Sequence, residues 1–190
     1  MNLTTSPCAR TAHRPTRRLF RASLAVWACA ALLSACGGGG DDEEAPPAGG
    51  GSGSLTLSSA TPSSHNTTLN LGAAGTAGNL ARAADGFSAQ PYCELFWENV
   101  PGANGSTYAV QVYFRPSDQA VLHASVIGST GYTVFDNASG SPISGITVST
   151  SGRTLSFTAK VLSGSGDGAT GTVNGSVGFA ANTANPACGA

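Results

Sequence analysis

From Leu55 onward, apolar side chains recur at every second position. Leu69 and Leu71 alternate with Thr68 and Asn70, and Tyr108, Val110, Val112 and Phe114 alternate with Ala109, Gln111 and Tyr113. The same rhythm runs through Leu122, Ala124 and Val126, through Leu155, Phe157, Ala159 and Val161, and through Val173, Val177 and Phe179. His123 and Ser125, then Ser156, Thr158 and Lys160, then Thr172, Asn174 and Ser176 fall on the opposite phase. A period of two is the signature of a strand with one face in a core and the other in solvent. Fainter strand signals cover residues 55–59, 92–97, 132–135 and 143–150. Gly, Asn and Pro crowd the intervening stretches 101–105, 115–118, 136–142 and 163–168, where positive φ or a fixed φ favours reversal. The pattern predicts an all-β domain over residues 55–190, an antiparallel β-sandwich or flattened barrel of about 7–9 strands. The one helix-like stretch, residues 77–84, is short, contains Gly78 and runs into Asp85-Gly86, so it reads as a loop.

The N-terminus follows another pattern. Arg10, Arg14, Arg17, Arg18 and Arg21 precede the apolar run ASLAVWACAALL at residues 22–33. A bilayer-spanning helix needs ~20 apolar residues, and this run is shorter. Basic residues, a short apolar run and then small residues make a secretory signal peptide, here residues 1–35. The four residues after the run, Leu33-Ser34-Ala35-Cys36, resemble the lipobox of bacterial lipoproteins at every position. That resemblance implies cleavage before Cys36 and a diacylglycerol on its thiol, with the new amino group acylated. The alternative is cleavage at a small-residue site that leaves Cys36 a free thiol. Buried acyl chains contribute ~0.8 kcal/mol per CH₂, so two or more hold a soluble domain at a membrane. Upstream, Thr16-Arg17-Arg18-Leu19-Phe20 resembles the twin-arginine export motif, with Arg21 where that motif prefers an apolar residue. The ordinary secretion route is the expectation.

Residues 36–54 hold Gly37 to Gly40, then Asp41-Asp42-Glu43-Glu44, then a Pro/Gly/Ser run, which is the composition of a flexible tether. In Gram-negative lipoproteins an Asp directly after the lipidated Cys tends to retain the protein in the inner membrane. Gly37 stands there instead, so the resemblance implies the outer membrane, with the domain facing the periplasm.

Composition narrows the picture further. Charged residues make up 10% of the 190, aromatic residues 7%, and there are 26 glycines. Coiled coils and charge-rich bundles carry far more charge. Without residues 1–35 only Arg82, Arg115, Arg153 and Lys160 remain against ten acidic residues, a net charge of −6. No basic patch remains to draw nucleic acid.

Cys8 and Cys29 leave with the signal peptide and Cys36 takes lipid, which leaves Cys93 and Cys188. An exported domain with two cysteines generally pairs them, here pinning the chain's end to a strand. A redox or metal pair would call for Cys-x-x-Cys spacing. Tyr92-Cys93, the Tyr-x-Val-x-Val-Tyr-Phe-Arg-Pro run, the strands at 155–161 and 172–179 and the final Pro-x-Cys resemble small uncharacterised Gram-negative envelope lipoproteins. That resemblance implies the disulfide and the fold and carries no activity. The spacing of Trp97 to Tyr108 and Val110 also resembles fibronectin type III strands, weakly.

Candidate chemistry is sparse. His65 sits in a polar Ser-Ser-His-Asn stretch and His123 on an outward phase, so both read as surface residues. No Gly-x-Ser-x-Gly elbow, phosphate loop or dense oxygen-ligand loop occurs. Glu94 and Glu98 beside Phe96-Trp97 have the form of a sugar site, but a solvent face with Trp97 in the core is the plainer reading. Asp167 and Asp136-Asn137 are thin calcium candidates. The expectation is a non-catalytic, cofactor-free lipoprotein domain that binds or supports an envelope component. The alternatives are a lipocalin-like carrier with a cavity lined by Phe114, Phe135, Phe157 and Phe179, and a hydrolase without a recognisable motif.

Overall fold

The computed structural model describes residues 53–139, 141–166 and 168–190. The expected signal peptide, Cys36, the expected tether up to residue 52 and Asp167 lie outside the described residues. The fold is all-β, ten antiparallel strands in one curled, half-barrel sheet. In chain order the strands are β1 (Gly53–Thr61), β2 (Thr67–Asn70), β3 (Thr76–Arg82), β4 (Tyr92–Pro101) and β5 (Thr107–Phe114). They continue with β6 (Val121–Gly128), β7 (Thr133–Asn137), β8 (Ile146–Ser149), β9 (Thr154–Ser163) and β10 (Thr170–Gly178). β1 begins two residues before the boundary that composition suggests.

Across the sheet the order is β2-β1-β10-β9-β7-β6-β5-β4-β3, with β8 on the flank of β9. Strands β3 to β7 form one meander of consecutive neighbours, and β8, β9, β10, β1 and β2 form the other half. The halves meet at a thin seam, where β7 and β9 pair only through Phe135 and Ser163. An ion pair between Lys160 Nζ and Asp136 Oδ2, 2.5 Å apart, spans that seam. At the free edges the curl is fastened by short links. Leu69 of β2 bridges Gly102 at the end of β4, and the Ala103 N–H donates to the Thr68 carbonyl. On the β3 side, Asn79 Nδ2 donates to the carbonyls of Ala180 and Cys188. The Cys93–Cys188 disulfide, with Cα atoms 5.6 Å apart, ties the same C-terminal segment to β4. Both sulfur-bearing residues are buried.

One core cluster fills the curl, drawn from both halves: Leu55, Leu57, Leu69, Leu95, Trp97, Val110, Val112, Val126, Leu155 and Val173 among others. The alternation in β5 is realised in full, with Tyr108, Val110, Val112 and Phe114 all buried. Elsewhere the period of two slips. The pairings of β1, β4 and β9 each contain one extra residue, between Ser58 and Thr61, Trp97 and Val100, and Phe157 and Lys160. At each slip a non-glycine residue has positive φ: Ser59, Asn99 and Ala159. These are β-bulges, which bend a strand and sharpen its twist. They also move the inward phase by one residue, from Leu57 to Ala60, from Trp97 to Val100 and from Phe157 to Lys160 and Leu162.

The bulge in β9 corrects one expectation. Ala159 and Val161 do not share the core face with Leu155 and Phe157; Val161 is 57% exposed and Lys160 is buried instead. A similar slip in β6 makes Val121, rather than Leu122, the buried residue opposite Phe114. Residues 77–84, expected to form a loop, lie largely in β3. The buried position of this strand is Asn79, a polar residue, which hides the period. Gly78 serves β3 by absence of a side chain, because a Cβ there would collide with the Phe96 ring of β4.

Candidate functional site

The ladder registers of β4 to β7 lay out the outer face of the first meander as a grid. One row across it reads Glu94, Tyr113, His123, Asn137. The next reads Phe96, Gln111, Ser125, Phe135, and beyond it Ala109, Ile127, Thr133. Phe96 leans away over Gly78. Ser125 is the small residue at the centre, so the face dips there. The dip is a depression of about 350 Å³ walled by Tyr113, His123, Ile127 and Phe135. Ser125 is 4% exposed, and its hydroxyl has no hydrogen-bond partner among the described residues. Buried hydroxyls are almost always paired, so this one marks the floor as unusual.

A loop roofs one end. Asp85 folds residues 83–91 into a turn: its Oδ1 accepts the N–H groups of Phe87 and Ser88, and its Oδ2 accepts the Tyr92 hydroxyl at 2.9 Å. Those bonds, led by the Phe87 N–H, lower the Asp85 carboxyl below its ordinary value. Burial first, and then the bond to Asp85, push the Tyr92 phenol up to about 12. The turn sets Phe87 edge-on to Tyr113 and His123, at 5.0 and 5.9 Å between ring centroids. Phe87 itself stays 42% exposed. On its other side lies a second depression of about 520 Å³, reaching Leu122, Pro142 and Arg115. The Arg115 guanidinium is forked onto Asp118 and pulls that carboxyl down to about 2.

His123 packs against Tyr113, with ring centroids 4.8 Å apart. Its Nδ1 contacts Asn137 Oδ1, an acceptor, so Nδ1 carries the proton and Nε2 presents a lone pair. Desolvation lowers its pKa below the usual 6.5, more than Asn137 and Asp136 raise it, which favours the neutral ring. Beside Tyr113, Glu94 is held by Arg82 in a pair 2.5 Å long.

The structure disperses several sequence candidates. Trp97 is 1% exposed in the core, while Glu94 and Glu98 lie on the outer face, so carboxylates and indole do not share a site. His65 is not a surface residue: it is buried, stacked 4.1 Å from Tyr132 and paired with the Tyr108 hydroxyl. Its polar neighbours misled because the short turn Ser63–His65 folds back onto the end of the curl. Asp136 is taken by Lys160 and Asn137 by His123, and among the described residues no three His, Cys, Asp or Glu gather at metal-binding range. The four phenylalanines of a carrier cavity do not share a face. Phe114, Phe157 and Phe179 are in the core, and Phe135 lines the outer depression.

The outward phase of Gln111, Tyr113, His123 and Ser125 is legible in the sequence. Their assembly with Phe87 and Phe135 depends on register and on the Asp85 turn. No family model, no curated protein and no solved structure matches this chain.

Proposed function

We propose that the protein is a lipid-anchored lipoprotein of the bacterial envelope whose β domain is a non-catalytic binding module, held by Cys36 to the outer membrane and facing the periplasm. The observation that carries this reading is the buried Cys93–Cys188 bond, which supports an oxidising compartment because disulfides form and persist there. It agrees with the lipobox-like Leu33-Ser34-Ala35-Cys36, the resemblance that supplies the anchor. The binding role is supported by the outer face of β4 to β7, where aromatic rings and an unpaired hydroxyl surround a depression. Both histidine rings lie against tyrosines, His65 stacked on Tyr132 and His123 tilted against Tyr113.

The test is metabolic labelling with an alkyne fatty acid, followed by membrane fractionation. The wild-type chain takes up label and sediments with outer membranes, and Cys36→Ala loses the label and keeps its signal peptide. Equal labelling of Cys36→Ala would overturn the proposal.

A further inference from the structure

The binding reading above leaves the ligand open, and the chemistry of the depression narrows it. Its walls are ring faces and edges, from Tyr113, His123 and Phe135, with Phe87 at the rim. Its polar groups are neutral: the Gln111 amide, the Ser125 hydroxyl, the Thr133 hydroxyl and the Asn137 amide. Gln111 makes no side-chain hydrogen bond to any described residue, and the Ser125 hydroxyl is 4% exposed and unpaired. The charges that act on this face, Asp136 and Glu94, are each paired, with Lys160 and with Arg82.

An alkyl chain would cover the Gln111 amide and the Thr133 hydroxyl without pairing them, at a cost of ~1–3 kcal/mol each. An anion would find no cation. A pyranose ring fits both halves of the chemistry. Its axial C–H face is apolar and meets the negative face of an aromatic ring, and its equatorial hydroxyls donate and accept around the rim. The volume lies within the ~300–1,000 Å³ range of small-molecule sites. Phe87 stands between this depression and the larger one beside it, so a chain of sugars has a second place to continue.

We propose that the outer depression centred on Ser125 binds a neutral oligosaccharide, one sugar ring lying over the small Ser125 floor against the Phe135 and Tyr113 rings, with its hydroxyls on the Gln111 amide and the free Nε2 of His123. This deepens the binding reading and rests on it.

The experiment is saturation-transfer NMR and isothermal titration on the full-length chain in a detergent without a sugar headgroup. The probes are chitotetraose, cellotetraose and maltotetraose, with dodecanoate as the alkyl arm. At least one tetrasaccharide binds, and it binds more tightly than its disaccharide. Phe135→Ala weakens it about tenfold, the loss of one stacking contact. Ser125→Leu fills the dip from its floor and abolishes binding while near-ultraviolet circular dichroism stays native, so the test survives even if Phe135→Ala misfolds. Binding of dodecanoate alone, binding of no sugar, or sugar binding unchanged in folded Ser125→Leu would each overturn the proposal. Fatty-acid labelling at Cys36 is untouched by these variants, so the anchor reading and the sugar reading fail separately.

Discussion

The two faces of β4 to β7 are built from alternate residues of the same four strands, yet they differ in kind. Inward, Leu95, Trp97, Val110, Val112, Ala124, Val126 and Val134 are each 0 or 1% exposed and join one core. Outward, the same strands present Gln111, Tyr113, His123, Ser125, Phe135 and Asn137 around a depression. The inner face is buried and apolar but for the Trp97 indole N–H, which has no partner among the described residues. The outer face holds rings and neutral polar groups around a depression. On the proposed reading the sheet divides its work by phase, stability on one parity of residues and recognition on the other.

The sharpest way to break this division is to remove an inner ring. Trp97→Ala is expected to cost ~3–5 kcal/mol in urea unfolding, the range for large-to-small core substitutions. Phe135→Ala on the outer face should stay within about 1 kcal/mol. Equal losses at the two sites would erase the contrast. The disulfide supports the inner face from the edge of the curl. Replacing Cys93 and Cys188 together by Ala should cost ~2–5 kcal/mol and expose the Asn79 edge of β3 to faster hydrogen exchange.

A smaller effect separates the faces by pH. Desolvation holds the His123 pKa below 6.5, so the unfolded chain takes up a proton that the folded one resists. The unfolded state then binds more protons, and stability rises with pH in that window. The His123 contribution is complete above the unfolded value and lost as pH falls from there toward the folded value. Urea midpoints at about pH 7.5 and about pH 5.5 should differ more in wild type than in His123→Gln. A slope that Gln preserves would assign the effect elsewhere.

The smallest expected change is a gain. Ala159 holds φ of +46° at the β9 bulge, a conformation that glycine adopts freely and other residues at a cost. Ala159→Gly should raise stability by about 0.5–1 kcal/mol in the same unfolding experiment, the relief of strain less the added chain entropy. A loss there would show that the methyl group supports the bulge.

Much of the fold was legible in the alternation of residues, because a half-buried strand with no bulge writes its two faces directly into the chain. β5 is the clear case, with its four inward residues in strict phase. The bulges were not legible. Ser59, Asn99 and Ala159 carry no glycine to announce a positive φ, so Val161 reads as core when it is exposed and Lys160 as exposed when it is buried. β3 was hidden for a different reason: its inward residue is Asn79, whose amide Nδ2 donates to carbonyls about a hundred residues away while its Oδ1 has no partner among the described residues. His65 is of the same kind, a polar residue buried by a ring that only tertiary structure supplies. The disulfide followed from cysteine count and the expected compartment. The outer depression lies between these cases, since phase marks its members and register alone brings them together.

The most direct test of the division between faces is a ¹H–¹⁵N correlation spectrum of the full-length chain titrated with the tetrasaccharide that binds. The account predicts amide shifts concentrated at residues 111–113, 123–127 and 133–137 and in the 85–88 turn, with β1, β2 and β10 unmoved. Shifts centred on β1, β2 or β10, or spread evenly through the core residues, would contradict it.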